Sequence, residues 1–455
     1  MQLTRYSGDL STVDFVDLLV IDLTGAPRSI SLPRAYMTEA RWEEGVGVDA
    51  GTFGFSDESG SRLAAVPDAS AAFVEEKDGS SILHVLCDLR DDEGRDFAQC
   101  PRALARAALV ELASSGLADD AMMLPELEFF AFDEVRYATG MGRSYYFVES
   151  SEGIGEGLDD LPRFGPTQGS LRSGPEDRLE ALRMKAVIAL EAAGIGVKYH
   201  HHETSAAQLE IELDFASLPV AADSIVLSKW IVKRCADELG LFATFMPKPI
   251  QALSGSGLHI HQYLSAVGSS LFSGEGLFGL SPLALSYSAG ILEHSLSGSL
   301  LAWACPSTNS YRRLAAGSGA PSVASLASSS RAAAIRVPGY LKRGRERIEF
   351  RVGDATSNAH YFLSAMLLAG IDGAKRALDP VAMGFAADPD PDGRGHDAKR
   401  LPSDLVLALD GLAADSAYLA PVFPPPLLES WAAAKGKDAA YVRAAPVPQE
   451  YELYF

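Results

Sequence analysis

Apolar and polar residues alternate through much of the first hundred positions, the period-two pattern of strands with one face on a core. Residues 16–23 and 28–32 flank Thr24-Gly-Ala-Pro27 and predict a strand, a turn and a strand. The character changes at residue 101. Pro101 suits a first helical position and Gly116 a stop. A second helix is predicted over 175–193, where Leu179, Leu182, Ala186 and Ala189 recur at helical spacing before Gly194. Asp388-Pro-Asp-Pro-Asp-Gly-Arg-Gly395 reads as loop, and Pro424-Pro-Pro426 as a rigid connector. The chain therefore divides near residue 100 into a small, mostly β segment (1–100) and a larger one (101–455).

Four short segments of the larger part alternate in an unusual way, with ionisable groups where a strand would ordinarily carry neutral polar ones. In Pro125-Glu-Leu-Glu-Phe-Phe130, Glu126 and Glu128 share a face. In the run from Glu203 to Leu213, Gln208, Glu210 and Glu212 alternate with Leu209, Ile211 and Leu213. His259 and His261 share a face of Gly257-Leu-His-Ile-His-Gln262, and Arg347, Glu349 and Arg351 share one of Arg347-Ile-Glu-Phe-Arg351. One such strand is commonly just a strand with a solvated face. Four lining one cavity would crowd carboxylates that repel unless cations neutralise them. Carboxylates with one or two imidazoles suit Mg²⁺ or Mn²⁺ better than zinc. Arginines on the same surface suit phosphate and carboxylate, so the pattern supports metal-assisted phosphoryl transfer.

Composition narrows the field. The 455 residues can bury a large core, and no apolar run reaches the roughly 18 residues that span a bilayer. A net charge of −21 argues against nucleic acid and anionic membrane as partners. Cys87, Cys100, Cys235 and Cys305 lack metal or disulfide spacing, and with no signal-peptide pattern a reducing cytoplasm is expected. The charge is uneven. Between Glu293 and Glu346 there is no acid, yet Arg312, Arg313, Arg331, Arg336, Lys342, Arg343 and Arg345 all fall there. Such a stretch predicts an anion site, or a basic patch facing an acidic neighbour in an oligomer.

Taken in order, these segments, with His-His-Glu203 and Asn309-Ser-Tyr-Arg-Arg313, resemble the motifs of bacterial type I glutamine synthetases from about Val13 to the C-terminus. The resemblance implies an α+β fold, with a small N-terminal β-grasp domain before a large catalytic domain whose antiparallel sheet is flanked by helices. It implies an ATP-dependent ligase that activates glutamate as a γ-glutamyl phosphate for attack by an amine. Glu128, Glu203 and Glu210 fall on the ligands of one metal, and Glu126, His259 and Glu349 on those of another. Arg313 and Arg351 match arginines that hold glutamate, beside the loop at Gly255. Arg331 matches the residue that steadies the transferring phosphate. His261 and Arg336 match nucleotide contacts, and Arg347 lies in the same phosphate-binding stretch. Asp49 resembles a carboxylate that a neighbouring subunit lends to the amine site. The family commonly assembles as two stacked hexameric rings.

The chain also departs from the family pattern. The flap glutamate of ammonia-using members, six residues after the arginine matching Arg313, is here Gly319. Losing that charge and volume implies an organic amine as acceptor, such as a polyamine, ethanolamine or another alkyl- or arylamine. Ser254 replaces an expected asparagine, and Lys198 and Tyr263 replace an acid and a serine near the nucleotide. The alternatives are an ammonia-dependent glutamine synthetase, a catalytically silent relative and a guanidino-phosphotransferase. The six retained ligands speak against the silent relative, and the N-terminal segment with Asp49 against the phosphotransferase.

Overall fold

A computed structural model describes residues 1–55, 62–154, 164–315, 319–328, 330–339, 344–386 and 399–455. The loop expected at 388–395 lies outside these, as do Lys342 and Arg343. The alternating N-terminal segment forms β1 (Gln2–Arg5), β2 (Phe15–Ile21), β3 (Pro27–Pro33), β4 (Val46–Asp49), β5 (Arg62–Lys77) and β6 (Ser80–Arg90). Their order is β1-β5-β6-β2-β3, with β4 beside β5; β2 and β6 run parallel and the other pairs antiparallel. The expected strand–turn–strand is the β2–β3 hairpin, and α1 (Glu39–Glu44) precedes β4.

The larger sheet is built around β7 (Asp120–Phe132), which continues into a separate hairpin of β8 (Glu134–Gly140) and β9 (Arg143–Glu149). Its other strands are β10 (Val197–His202), β11 (Gln208–Leu213), β12 (Ala216–Ser217), β13 (Phe242–Thr244), β14 (Leu258–Ala266), β15 (Ser269–Ser270), β16 (Val323–Ala327), β17 (Ala333–Arg336) and β18 (Ile348–Phe350). The path is β10-β11-β7-β14-β18-β17-β16, antiparallel except for β16 and β17. Helices flank it: α2 (Pro101–Ser114), α3 (Glu180–Ala192), α4 (Leu218–Asp237), α5 (Pro282–Ser297), α6 (Leu301–Ala304), α7 (Ser310–Arg313), α8 (Ala359–Lys375), α9 (Leu405–Ala414), α10 (Pro425–Arg443) and α11 (Pro448–Tyr454). The fold is the α+β arrangement expected. No described helix is long and apolar enough to cross a membrane, and all four cysteines are buried and free.

Two boundaries differ from the periodicity, for local reasons. The helix expected from 175 begins at Glu180, because Glu152 Oε1 takes the Arg178 and Leu179 amides at 3.0 and 3.3 Å. Pro425 opens α10 instead of extending a connector, since its fixed φ and missing N–H suit a first helical turn. The core between α5 and α8 is packed backbone to backbone. A Cβ on Gly290 would lie 2.7 Å from Gly373 Cα and collide with the Ala369 carbonyl.

The small sheet is tied to the larger part by charge. Arg102 of α2 donates to Asp68 and Asp88 of the small sheet and, through two nitrogens, to Asp223 of α4. His84 of β6 lies between Asp17 (3.3 Å) and Glu75 (2.9 Å), and Glu75 also accepts from Arg234 of α4. The indole of Trp230 packs edge-on against His84, their ring centres 5.0 Å apart.

Candidate active site

Strand register assembles the site. Across β11 and β7, Glu210 faces Glu128 and Glu212 faces Glu126; across β7 and β14, Glu126 faces His259. Next, His261 faces Glu349 of β18, which faces Arg336 of β17, while His201 of β10 faces Glu210. Residues two apart on a strand share a face, so these groups converge on one surface. Glu126, Glu128, Glu210, Glu212, His259, His261 and Glu349 are all buried.

The distances show a tight electrostatic network. Glu126 lies 3.0 Å from His259 Nδ1 and 2.7 Å from His261 Nε2. Burial alone would raise its pKa, but the two imidazoles outweigh it and hold the carboxyl well below the usual range. Burial and the charges of Glu126, Glu128 and Glu203 push Glu210 well above that range. Glu349 is lowered against burial by Arg351, which bonds its Oε1, while Arg336 bonds Oε2 at 3.0 Å.

Glu203 is not on a strand. It sits in the turn between β10 and β11, where Ala207 has φ of 64°. His202 fixes that turn, with Nδ1 2.6 Å from the Glu203 carbonyl and Nε2 2.8 Å from the buried Glu152. The loop before β14 is pinned as well. Gln208 donates to the Gly255 carbonyl at 3.0 Å, and the Gly257 amide donates to Glu128 at 2.7 Å.

The arginines divide into buried and open ones. Arg313 is buried, with its guanidinium donating to the Arg351, Val352 and Gly353 carbonyls and 3.4 Å from His259 Nε2. Arg347 Nε lies 3.1 Å from His261 Nδ1, and its guanidinium stands over Phe215, which packs on Tyr263. Arg331 is exposed, and its carbonyl accepts from Arg351 Nε at 3.1 Å. Asp49 is exposed on β4 and accepts from the Gly51 and Thr52 amides; among the described residues no hydrogen bond or ion pair joins it to this cluster.

Oxygen donors beside imidazoles suit Mg²⁺ or Mn²⁺. At this site, three sets of described residues have ligand atoms within 4.8 Å of one another: His201 with Glu203 and Glu210, Glu126 with Glu210 and Glu212, and Glu126 with His261 and Glu349. His201 and Glu212 were not among the expected ligands. Both share the site face by alternation, but only the register shows that each meets Glu210 or Glu126.

The family described as "Glutamine synthetase, catalytic domain" matches residues 98–454. This chain belongs to the glutamine synthetase family. Glutamine synthetase of Vibrio alginolyticus is 34% identical over 97% of each chain, and that of Streptomyces coelicolor 37% identical over 97% of this chain and 96% of its own. Among solved structures, Plasmodium falciparum glutamine synthetase superposes with a TM-score of 0.88 at 25% identity, covering 99% of this chain and 97% of its own. A structure described as "Apo GmaS without ligand" gives 0.80 at 25% identity, covering 97% and 96%. The chain is thus an ATP-dependent ligase of the glutamine synthetase family, which forms carbon–nitrogen bonds and uses divalent metal ions.

Beside the site, a cavity of about 1350 Å³ opens next to Ser254 and Ala315 and against the hairpin tyrosines Tyr145 and Tyr146. Its charged lining residues are Lys248 and Arg312. Gly319 is exposed with φ of 80°, and nothing lies within 4 Å of where a Cβ would stand.

Proposed function

We propose that this ligase joins the side-chain carboxylate of glutamate to an organic amine, giving a γ-glutamyl amide. The observation that carries the reading is Gly319: the flap position that resembles an ammonia-capturing glutamate is small, exposed and open, in an interval without acids. Without that charge an ammonium ion has little to hold it, and without that volume a larger nucleophile fits. The neighbouring cavity supports an apolar amine over a polyamine, since two cations and no carboxylate line it among the described residues.

In this reading Glu128, Glu203 and Glu210 hold one divalent ion, and Glu126, His259 and Glu349 another. Bound there, Mg²⁺ or Mn²⁺ would offset the charge of ATP phosphates. Arg313 and Arg351, with the Gly255 loop, orient glutamate, and His261, Arg336 and Arg347 face the nucleotide. Arg331 is free to reach the phosphoryl group as it passes to the carboxylate, which is electrostatic catalysis more than acid–base work. The amine then attacks the acyl phosphate, phosphate leaves, and Asp49 of a neighbouring copy accepts the amine's proton. The exposed position of Asp49 supports that role in a ring of subunits, taken here as two stacked hexamers in the cytoplasm. The small domain is taken as 1–100 and the catalytic domain as 101–455.

A second reading, ammonia-dependent glutamine synthesis, is favoured by the names of the relatives at 32–37% identity. Phosphate release from ATP with glutamate and Mg²⁺ separates the two, across ammonium, ethanolamine, polyamines and alkyl- and arylamines. The amide reading expects one organic amine to outpace ammonium, with the product identified by mass. Ammonium as the best acceptor overturns it.

A further inference from the structure

Glu152 follows β9 by three residues, is buried, and has no place among the expected site residues. Its two carboxylate oxygens take four donors: Oε1 the Arg178 and Leu179 amides ahead of α3, and Oε2 His202 Nε2 at 2.8 Å and the Ala207 amide at 2.9 Å. A carboxylate has room for about four such bonds, so its capacity is filled. Two of the four fix one turn from both sides. His202 immediately precedes Glu203, and its Nδ1 lies 2.6 Å from the Glu203 carbonyl. Ala207, on the far side, keeps a φ of 64°, which a non-glycine residue holds only where its surroundings impose it. The turn in turn grips the loop at Gly255. Ser205 Oγ accepts from the Ser254 amide at 2.9 Å, and the side chain of Gln208 donates to the Gly255 carbonyl at 3.0 Å.

We propose that Glu152 is a positioning residue for the ligase reaction. Through His202 and Ala207 it sets the turn that carries Glu203, and through Ser205 and Gln208 that turn sets the loop at Gly255. Glu126, His259 and Glu349 owe their places to strand register and do not depend on it. The inference rests on the reading above, in which Glu203 serves one divalent ion and Glu126, His259 and Glu349 the other. A glutamine cannot stand in for Glu152, because its side chain ends in one acceptor and one donor. Turned one way, its NH₂ group meets the Ala207 amide; turned the other way, it meets the amides of Arg178 and Leu179.

The test compares full-length wild type with Glu152→Gln, each stripped of metal and titrated with Mn²⁺, with free ion counted by electron paramagnetic resonance. One of the two ions should bind on the order of tenfold more weakly in the variant, while the other keeps its affinity. In phosphate-release assays KM for glutamate should rise and KM for ATP stay as it is. His202→Gln gives a second arm. Its amide nitrogen can replace Nε2 toward Glu152, but nothing replaces Nδ1 at the Glu203 carbonyl, so the amides ahead of α3 stay paired and the same ion should weaken. Two ions bound as in wild type by both variants, with only the melting temperature lowered, overturn the proposal and leave the two-cation reading intact. Fewer than two in wild type overturns both. If Glu152→Gln does not fold, unaltered affinities in His202→Gln are enough to reject the proposal.

Discussion

A methyl group on Gly257 would stand 2.5 Å from Arg313 Nη2 and 2.6 Å from His259 Nε2. Both neighbours are buried and held by several bonds, so neither can yield without disturbing the other. Gly257→Ala should therefore fold but lower turnover by about 10²-fold, the usual cost of displacing site groups by an ångström. Phosphate release at saturating substrate, with circular dichroism as the folding control, checks this. Gly319 makes the opposite case, with space for a side chain but a left-handed backbone. Gly319→Glu is expected to cost about 1 kcal/mol in stability while raising activity with ammonium relative to the organic amine. Equal ratios in the two proteins would separate Gly319 from acceptor choice.

At the scale of elements, the crossing of α5 and α8 depends on glycines that meet face to face. Gly290→Ala should destabilise the protein by about 1–3 kcal/mol, read from urea denaturation, because backbone atoms must separate to admit the methyl group. The same scale shows what the sequence could and could not reveal. Glu126, Glu128, Glu210, His259, His261 and Glu349 stand out because a strand with ionisable groups at every second position is rare, and all six face one another in register across neighbouring strands, as the pairs Glu210–Glu128, Glu126–His259 and His261–Glu349. Alternation places Glu203 at the start of a strand, yet it lies in a turn, since its position is set by His202 and the glutamate that His202 bonds, Glu152. His201 and Glu212 gained significance only from cross-strand partners, which periodicity does not specify. The start of α3 departs from the helical spacing for a like reason, a distant Glu152 claiming the preceding amides. Local pattern determines faces; long-range pairing determines which faces meet.

For the whole molecule, the joint between the small sheet and α4 is sensitive to acid and base. Burial pulls the His84 pKa down, but Asp17 and Glu75 outweigh it and hold it above the usual value. A base whose pKa rises on folding stabilises fully below its unfolded pKa, about 6.5, and that contribution is lost as pH climbs through the folded value. The melting-temperature gap between wild type and His84→Gln should therefore be widest below the unfolded pKa and narrow as pH climbs through the raised folded value, as followed by scanning calorimetry. A gap that stays constant would show that His84 remains in one protonation state. The chain carries only four tryptophans, and Trp230 is the one in contact with this histidine. A protonated imidazole quenches indole emission far more than a neutral one does. The joint therefore holds its own optical indicator, and the fluorescence of Trp230 should brighten as His84 gives up its proton.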